Sequence, residues 1–181
     1  LSAQEIRYLA PDEGEQVLVT RLRDGTAARI AHHHVVPLLR RRLDELAERV
    51  EAVLLLCTGT FEPFPYPRPI LYPERFMLAM AQAVAPWHLG VITPDPAQLD
   101  EQQTRWSRAA GRVTSMPASP YTAAETLPAL GTRLADRGAD LIVLDSLGYG
   151  LAMKEAVHRA SGRPVLLPRT VLARAAAELL G

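Results

Sequence analysis

The sequence lacks most of the features that would place a protein at sight. It has one cysteine, Cys57, in 181 residues. A disulfide within the chain is therefore impossible, and a reducing compartment, the cytoplasm, is the expected location. No apolar run approaches the ~18 residues needed to span a bilayer, and no signal-peptide pattern is present. Charge of one sign is absent too: 20 basic residues balance 20 acidic ones. Neither nucleic acid nor an anionic membrane is an expected partner. The trio Arg40, Arg41 and Arg42 reads as a solvated helix face. There is no Gly-x-Gly-x-x-Gly, Walker A loop, His-Glu-x-x-His or Gly-x-Ser-x-Gly. Nucleotide-binding, metallopeptidase and α/β-hydrolase readings lose their support, and no cofactor is expected. His32-His33-His34 invites a metal, since His32 and His34 would share a face of a strand. No Cys, Asp or Glu completes a first shell at familiar spacing, so no metal is expected.

What is present is an ordinary globular composition, 48% apolar and 22% charged, long enough to bury a substantial core. Residues 2–9 read as a helix, with Ser2 and Glu5 at capping-box spacing. Strands are expected at 15–21 and 27–31, joined by a turn at Asp24-Gly25. Val35, Leu39, Leu43, Leu46 and Val50 recur at helical spacing over 34–50. The unbroken run from Ala52 to Leu56, ending at Cys57, suits a parallel strand buried on both faces. Pro63, Pro65, Pro67, Pro69 and Pro73 exclude regular structure over 61–73 and predict a loop over one sheet edge. A helix starts near Pro73. Strands at 87–93, 112–116, 140–145 and 164–167 then alternate with helices at 95–110, 122–137, 151–161 and 169–180. Trp87 and Trp106 fall at core positions as packing residues. His88 and His158 are isolated.

This alternation predicts an α/β fold with mostly parallel sheets flanked by helices. An internal echo divides it. The run 52–59 ends Cys57-Thr58-Gly59, and 141–148 ends Ser146-Leu147-Gly148, 89 residues later. Each is an apolar strand ending in a small nucleophile type, with glycine two residues on. Two similar lobes follow, 1–86 and 87–181, with the terminal helix free to pack back on the first. The counterpart of strand 87–93 would fall near or before Leu1, so the first βα unit of the first lobe is expected to be missing, a reading that the start at Leu1 rather than Met supports.

Open α/β sheets bind ligands beyond the carboxyl ends of their strands, where Cys57, Asp145 and Ser146 sit. In Cys57-Thr58-Gly59-Thr60, glycine permits close backbone approach and the amides form an anion-binding nest. The threonine hydroxyls donate to the same oxygens. Ser146-Leu147-Gly148-Tyr149-Gly150 offers the same from the opposite wall, and Tyr66, Tyr72, Tyr121 and Tyr149 are candidate lining residues. A small carboxylate is the expected ligand. Against this stands the plain alternative: a free cysteine is most often a buried, inert packing residue, and Asp145-Ser146 a polar strand end.

Several segments resemble the AroM family: Leu1-Ser2 with Glu5, Val19 to Gly25, Leu55 to Gly59, Pro73-Glu74-Arg75, Gly90 to Pro94, Gln102 with Trp106, Ala139 to Tyr149, and the ending from Pro164 to Leu180. The resemblance spans the chain. It implies an aspartate/glutamate racemase-like fold, in which two halves face each other across a cleft. Relatives with that fold are racemases, isomerases and decarboxylases; where two cysteines are present, one sits on each half, and they act as acid and base on opposite faces of a carbon beside a carboxylate. By the resemblance Cys57 holds the first cysteine position and Ser146 the second, and Thr93 and Pro94 join Thr58, Gly59, Thr60, Asp145, Gly148 and Tyr149 as binding residues. A serine hydroxyl is too weak an acid to replace a thiolate base, so one-sided chemistry through Cys57 is expected rather than two-base racemisation. The resemblance gives Asp145 no role.

Three readings remain. One is a cofactor-independent isomerase-, racemase- or decarboxylase-like enzyme, which requires a lowered Cys57 pKa. The second is a carboxylate-binding or regulatory protein without catalysis, which Ser146 favours. The third is an interaction protein, homodimer included, using the loop 61–73.

Overall fold

A computed structural model describes residues 3–46 and 49–181. The first helix, α1 (Ala3–Tyr8), lies where it was expected; Ser2, its predicted cap, falls outside the described residues. Strands β1 (Val17–Arg21) and β2 (Ala27–Ala31) pair antiparallel. Their turn is held by Asp24, whose carboxylate accepts from the Thr26 amide at 2.9 Å and hydroxyl at 2.7 Å. Gly25 takes the left-handed φ of 90° that the turn demands.

Helix α2 (His32–Leu46) follows β2 without a break. It starts two residues before the expected 34, directly after β2, with the His32 amide still bonded in register to the Gln16 carbonyl. The three histidines are therefore its first turn, and the expected strand face shared by His32 and His34 does not exist.

Strand β3 (Val53–Leu54) pairs in parallel with β4 (Ile70–Leu71). Two expectations fail here. The run 52–57 is not buried on both faces, since Leu54 and Leu56 are 36% and 71% exposed; among the described residues only β4 lies beside it. The segment 61–73 does contain regular structure, because β4 uses two non-proline residues and Pro69 contributes only its carbonyl, to the Val53 amide at 2.9 Å. Inward of β3, Leu55 packs with Leu18, Phe61 and Tyr72, and Cys57 lies against that cluster.

Helix α3 (Pro73–Val84) opens on proline and closes at Ala85, a non-glycine residue at φ 50°. Then come β5 (His88–Thr93), α4 (Leu99–Trp106), β6 (Arg112–Pro117), α5 (Leu127–Asp136), β7 (Leu141–Leu144), α6 (Leu151–Ser161), β8 (Val165–Leu166) and α7 (Pro168–Leu180). Short 3-10 turns at Pro96–Gln98 and Ala124–Thr126 take the starts expected for α4 and α5. The four strands are parallel, in the order β6-β5-β7-β8.

Alternation along β5 and β7 builds two cores from one sheet. Ile92, Ile142 and Leu144 face Leu127 and Leu134 of α5 and Val157 of α6. Leu89, Val91, Leu141 and Val143 face Met77 and Leu78 of α3, Trp106 of α4 and Val171 of α7. Both faces are covered, so the strands read as continuous apolar runs rather than alternating ones. Helix α3, although it precedes the sheet, belongs to its second core, and α7 packs against it. Trp87 is not the packing residue expected: it precedes β5 and is 80% exposed, its amide held by Asp140. Among the described residues no helix is long and apolar enough to cross a membrane.

Candidate active site

The chain leaves β5 outward to β6 and returns to β7 on the other side of β5. That reversal opens a crevice at the carboxyl ends of β5 and β7, the place where such sheets hold ligands. A cleft of about 130 Å³ lies there. The first wall is Leu56, Cys57, Thr58 and Gly59; the facing wall is Asp145, Ser146, Leu147 and Gly148; Leu18, Val19, Thr20, Pro94, Gln98 and Tyr121 complete it.

The two walls repeat one local geometry. The Gly59 amide donates to Cys57 Sγ at 3.4 Å, and the Gly148 amide donates to Ser146 Oγ at 3.0 Å. Each loop thus turns its own amide onto its own thiol or hydroxyl. Both glycines sit where a Cβ would press on a neighbour, more severely at Gly148, which faces a proline ring. A Cβ on Gly59 would lie 2.7 Å from Leu18 Cδ2, and one on Gly148 would lie 2.6 Å from Pro120 Cγ and the Tyr121 hydroxyl.

Between the walls runs a buried ionic network that sequence reading missed. Arg105 Nη1 donates to the Thr58 carbonyl at 2.9 Å and to Asp145 Oδ2 at 3.1 Å, and Nη2 donates to Glu101 at 2.7 Å. Glu101 also accepts from Gln16. Trp106 Nε1 divides its hydrogen between Asp145 Oδ2 at 3.0 Å and Gln102 at 2.8 Å. Asp145 therefore has a role: it is the anchor of an arginine that reaches across to the Cys57 loop. The available signals were the Gln102/Trp106 and Glu101/Arg105 pairs at i, i+4, which share faces of α4.

Burial pushes the Asp145 carboxyl up from its ordinary value, against the pull of the Arg105 guanidinium and the Trp106 and Thr58 hydrogen bonds. Burial disfavours the Arg105 charge, but Asp145 and Glu101 outweigh it and raise the guanidinium pKa. Burial also pushes the Cys57 thiol up, with the Gly59 amide and then Arg105 pulling back. That direction is opposite to the lowered pKa that the enzyme reading anticipated. Tyr121 at the cleft is raised by burial as well.

Cys57, Thr58, Gly59, Pro94, Asp145, Ser146 and Gly148 come together on the cleft. Thr60, Thr93 and Tyr149 do not. Thr60 lines a separate groove with Glu101 and Arg105. The Thr93 hydroxyl donates inward to Gln98, whose amide in turn holds the Val17 carbonyl. Tyr149 is fully buried and donates to the Ala118 carbonyl at 2.6 Å. Gln98 and Tyr121 are cleft residues not singled out as binding residues from sequence. His88 is buried and hydrogen-bonded to Thr114. No group of three or more His, Cys, Asp or Glu among the described residues is placed to hold a metal.

The profile of the family described as "AroM protein" matches residues 1–180. No curated protein sequence is a significant match. Solved structures share the fold at low identity. An arylmalonate decarboxylase variant, with one glycine changed to cysteine and one cysteine to serine, was solved in liganded form; it matches at 17% identity and a TM-score of 0.63, over 82% of this chain and 73% of that one. Glutamate racemase from Francisella tularensis, in complex with D-glutamate, matches at 13% and 0.58, over 88% and 67%. Allantoin racemase from Klebsiella pneumoniae matches at 14% and 0.53, over 98% and 80%.

Proposed function

The chain belongs to the AroM family, and from that membership and the geometry of the cleft we propose that it is a cofactor-independent proton-transfer enzyme acting on a small carboxylate. The observation that carries this reading is the pairing of Cys57 and Ser146 on facing walls of one cleft, each with its own glycine amide. The substrate carboxylate sits on those amides, which share their hydrogens between sulfur or hydroxyl and the incoming oxygens. A thiol held neutral by burial suits a proton donor better than a base. In the decarboxylating form of the reaction, the bond from the α-carbon to one carboxylate breaks and carbon dioxide leaves. The electron pair remains as an enediolate, Cys57 Sγ–H gives its proton to the α-carbon, and water returns a proton to the thiolate. Ser146 donates a hydrogen bond to a substrate oxygen and moves no proton from carbon. The reaction is set in the cytoplasm, where the lone thiol stays reduced.

The test is incubation with α-substituted malonates, following carbon dioxide release and, in D2O, deuterium entry at the α-carbon by NMR. Turnover that disappears in Cys57→Ala and persists, weakened, in Ser146→Ala is the expected pattern. Full turnover by Cys57→Ala would sink the thiol mechanism. The same raised thiol pKa favours a second reading, a carboxylate-binding protein without turnover. Malonate protecting Cys57 from iodoacetamide with no isotope exchange would select it.

A further inference from the structure

The correspondence between the two walls extends one contact further than the thiol and hydroxyl. The carbonyl of Thr58 and the amide of Gly59 belong to the same peptide group. Its oxygen accepts from Arg105 Nη1 at 2.9 Å, and its N–H faces Cys57 Sγ. The carbonyl of Leu147 and the amide of Gly148 likewise share a peptide. Its oxygen accepts from Arg169 Nε, and its N–H faces Ser146 Oγ. The two arginines come from different elements, α4 and α7, and differ in setting: the Arg105 side chain is 5% exposed, whereas Arg169 is exposed. They end on equivalent carbonyls.

We propose that Arg105 and Arg169 are a matched pair of positioning residues, each fixing and polarising the one peptide that presents an amide to its wall of the cleft. A cation on a peptide oxygen withdraws charge through the amide and makes its N–H a stronger donor, and hydrogen bonds to charged groups are about twice as strong as neutral ones. The pair therefore converts two ordinary loop amides into a preorganised frame for an oxyanion. It also holds each peptide at its oxygen while the N–H is held by sulfur or hydroxyl, fixing its orientation. In the first wall the guanidinium is close enough to draw the Cys57 thiol downward against burial. In the second wall the polarised amide holds Ser146 Oγ as an acceptor and leaves its hydroxyl hydrogen for another acceptor. The substrate part of this inference rests on the carboxylate reading above; the polarisation part does not.

The full chain, labelled with 15N-glycine, separates the two. Arg169 donates to the Leu147 carbonyl from outside the Arg105–Asp145 network, so Arg169→Gln leaves the buried network intact. The expected result is an upfield shift of the Gly148 amide proton in Arg169→Gln, with Gly59 unmoved and partial recovery in Arg169→Lys. An unmoved Gly148 resonance overturns the proposal. Malonate affinity by calorimetry is expected to weaken about tenfold in Arg169→Gln; unaltered affinity overturns the matched role in binding. Failure of the unaltered protein to bind malonate removes the carboxylate reading instead, while the Gly148 shift still decides polarisation. For the first wall, iodoacetamide rate against pH is expected to place the Cys57 pKa higher in Arg105→Gln than in the unaltered chain. Where the glutamine variant does not fold, Arg105→Lys, which keeps the charge in the buried site, is expected to leave the Cys57 pKa close to that of the unaltered chain, and a clear rise in it counts against the role of the cation.

Discussion

Replacing Arg105 by methionine keeps the reach of the side chain and removes the charge that Asp145, Glu101 and the Thr58 carbonyl share. The side chains of Arg105 and Asp145 are 5% and 1% exposed, so solvent cannot take over either role. A buried ion pair broken on one side costs roughly 3–5 kcal/mol, because the remaining charge is left unpaired. Asp145 keeps the Trp106 N–H, and burial already pushes its carboxyl toward the neutral form; both hold the loss within that range. Asp145→Asn is milder, about 1–2 kcal/mol, since Arg105 keeps Glu101 and Thr58. The double variant is expected to lose less than the two singles summed, by at least about 1 kcal/mol. In Arg105→Met, Asp145 has a folded pKa above its unfolded one. Its contribution is then complete below the unfolded value and lost as pH rises through the folded value, so the deficit opens from acid toward neutral pH. Urea unfolding followed by circular dichroism and by Trp106 emission measures each quantity. A loss under about 1 kcal/mol for Arg105→Met, or strict additivity in the double variant, would refute the claim that this network spans the cleft as a unit.

Gly148→Ala places a Cβ 2.6 Å from Pro120 Cγ and the Tyr121 hydroxyl, and should cost about 1–3 kcal/mol and abolish malonate protection of Cys57 in the alkylation assay. Ala85→Gly relieves a left-handed alanine at the end of α3 and should stabilise by about 0.5–1 kcal/mol, read as a higher melting temperature. Burial holds the His88 imidazole below its ordinary value, with Arg112 adding to this and Asp140 opposing. The contribution of His88 is therefore complete above pH ~6.5 and is lost as pH falls from there through the folded value. His88→Gln should flatten that acid limb by at most about 1.4 kcal/mol per pH unit, and an unchanged limb in urea titrations across pH 4–7 would exclude His88.

Helix α6 lies at the residues read from sequence, 151–161, because Gly150 and Gly162 bound an amphipathic run. The four parallel strands were legible for a related reason: β5 and β7 are packed on both faces, which their near-continuous apolar runs 89–92 and 141–144 satisfy. The histidine triplet misled, since periodicity over so few residues cannot distinguish a strand end from a helix start. The run at 52–57 misled because hydrophobicity reports what a segment tolerates, not which neighbour covers it. At the site, the repeated strand–nucleophile–glycine pattern brought Cys57 and Ser146 to one cleft. Arg105 and Arg169 stayed hidden: arginine is common, its reach is long, and the carbonyls it finds belong to the backbone and leave no mark in the sequence. Thr93 and Tyr149 sit beside the right strand ends, but spacing carries no information on whether a hydroxyl points into a cleft or back into the core.

The difference between the two strands that carry the site makes its jaws unequal. Ser146 is mounted on β7, clamped by helices above and below, and any adjustment there must move two cores at once. Among the described residues, Cys57 is mounted on a strand paired on one side only, by β4, where Leu54 and Leu56 face outward. The serine jaw is the fixed reference against which a ligand is gauged, and the thiol jaw is the one that can be retuned. Substitutions that reshape the cleft, whether selected in nature or at the bench, are cheapest on the Leu54–Leu56 side.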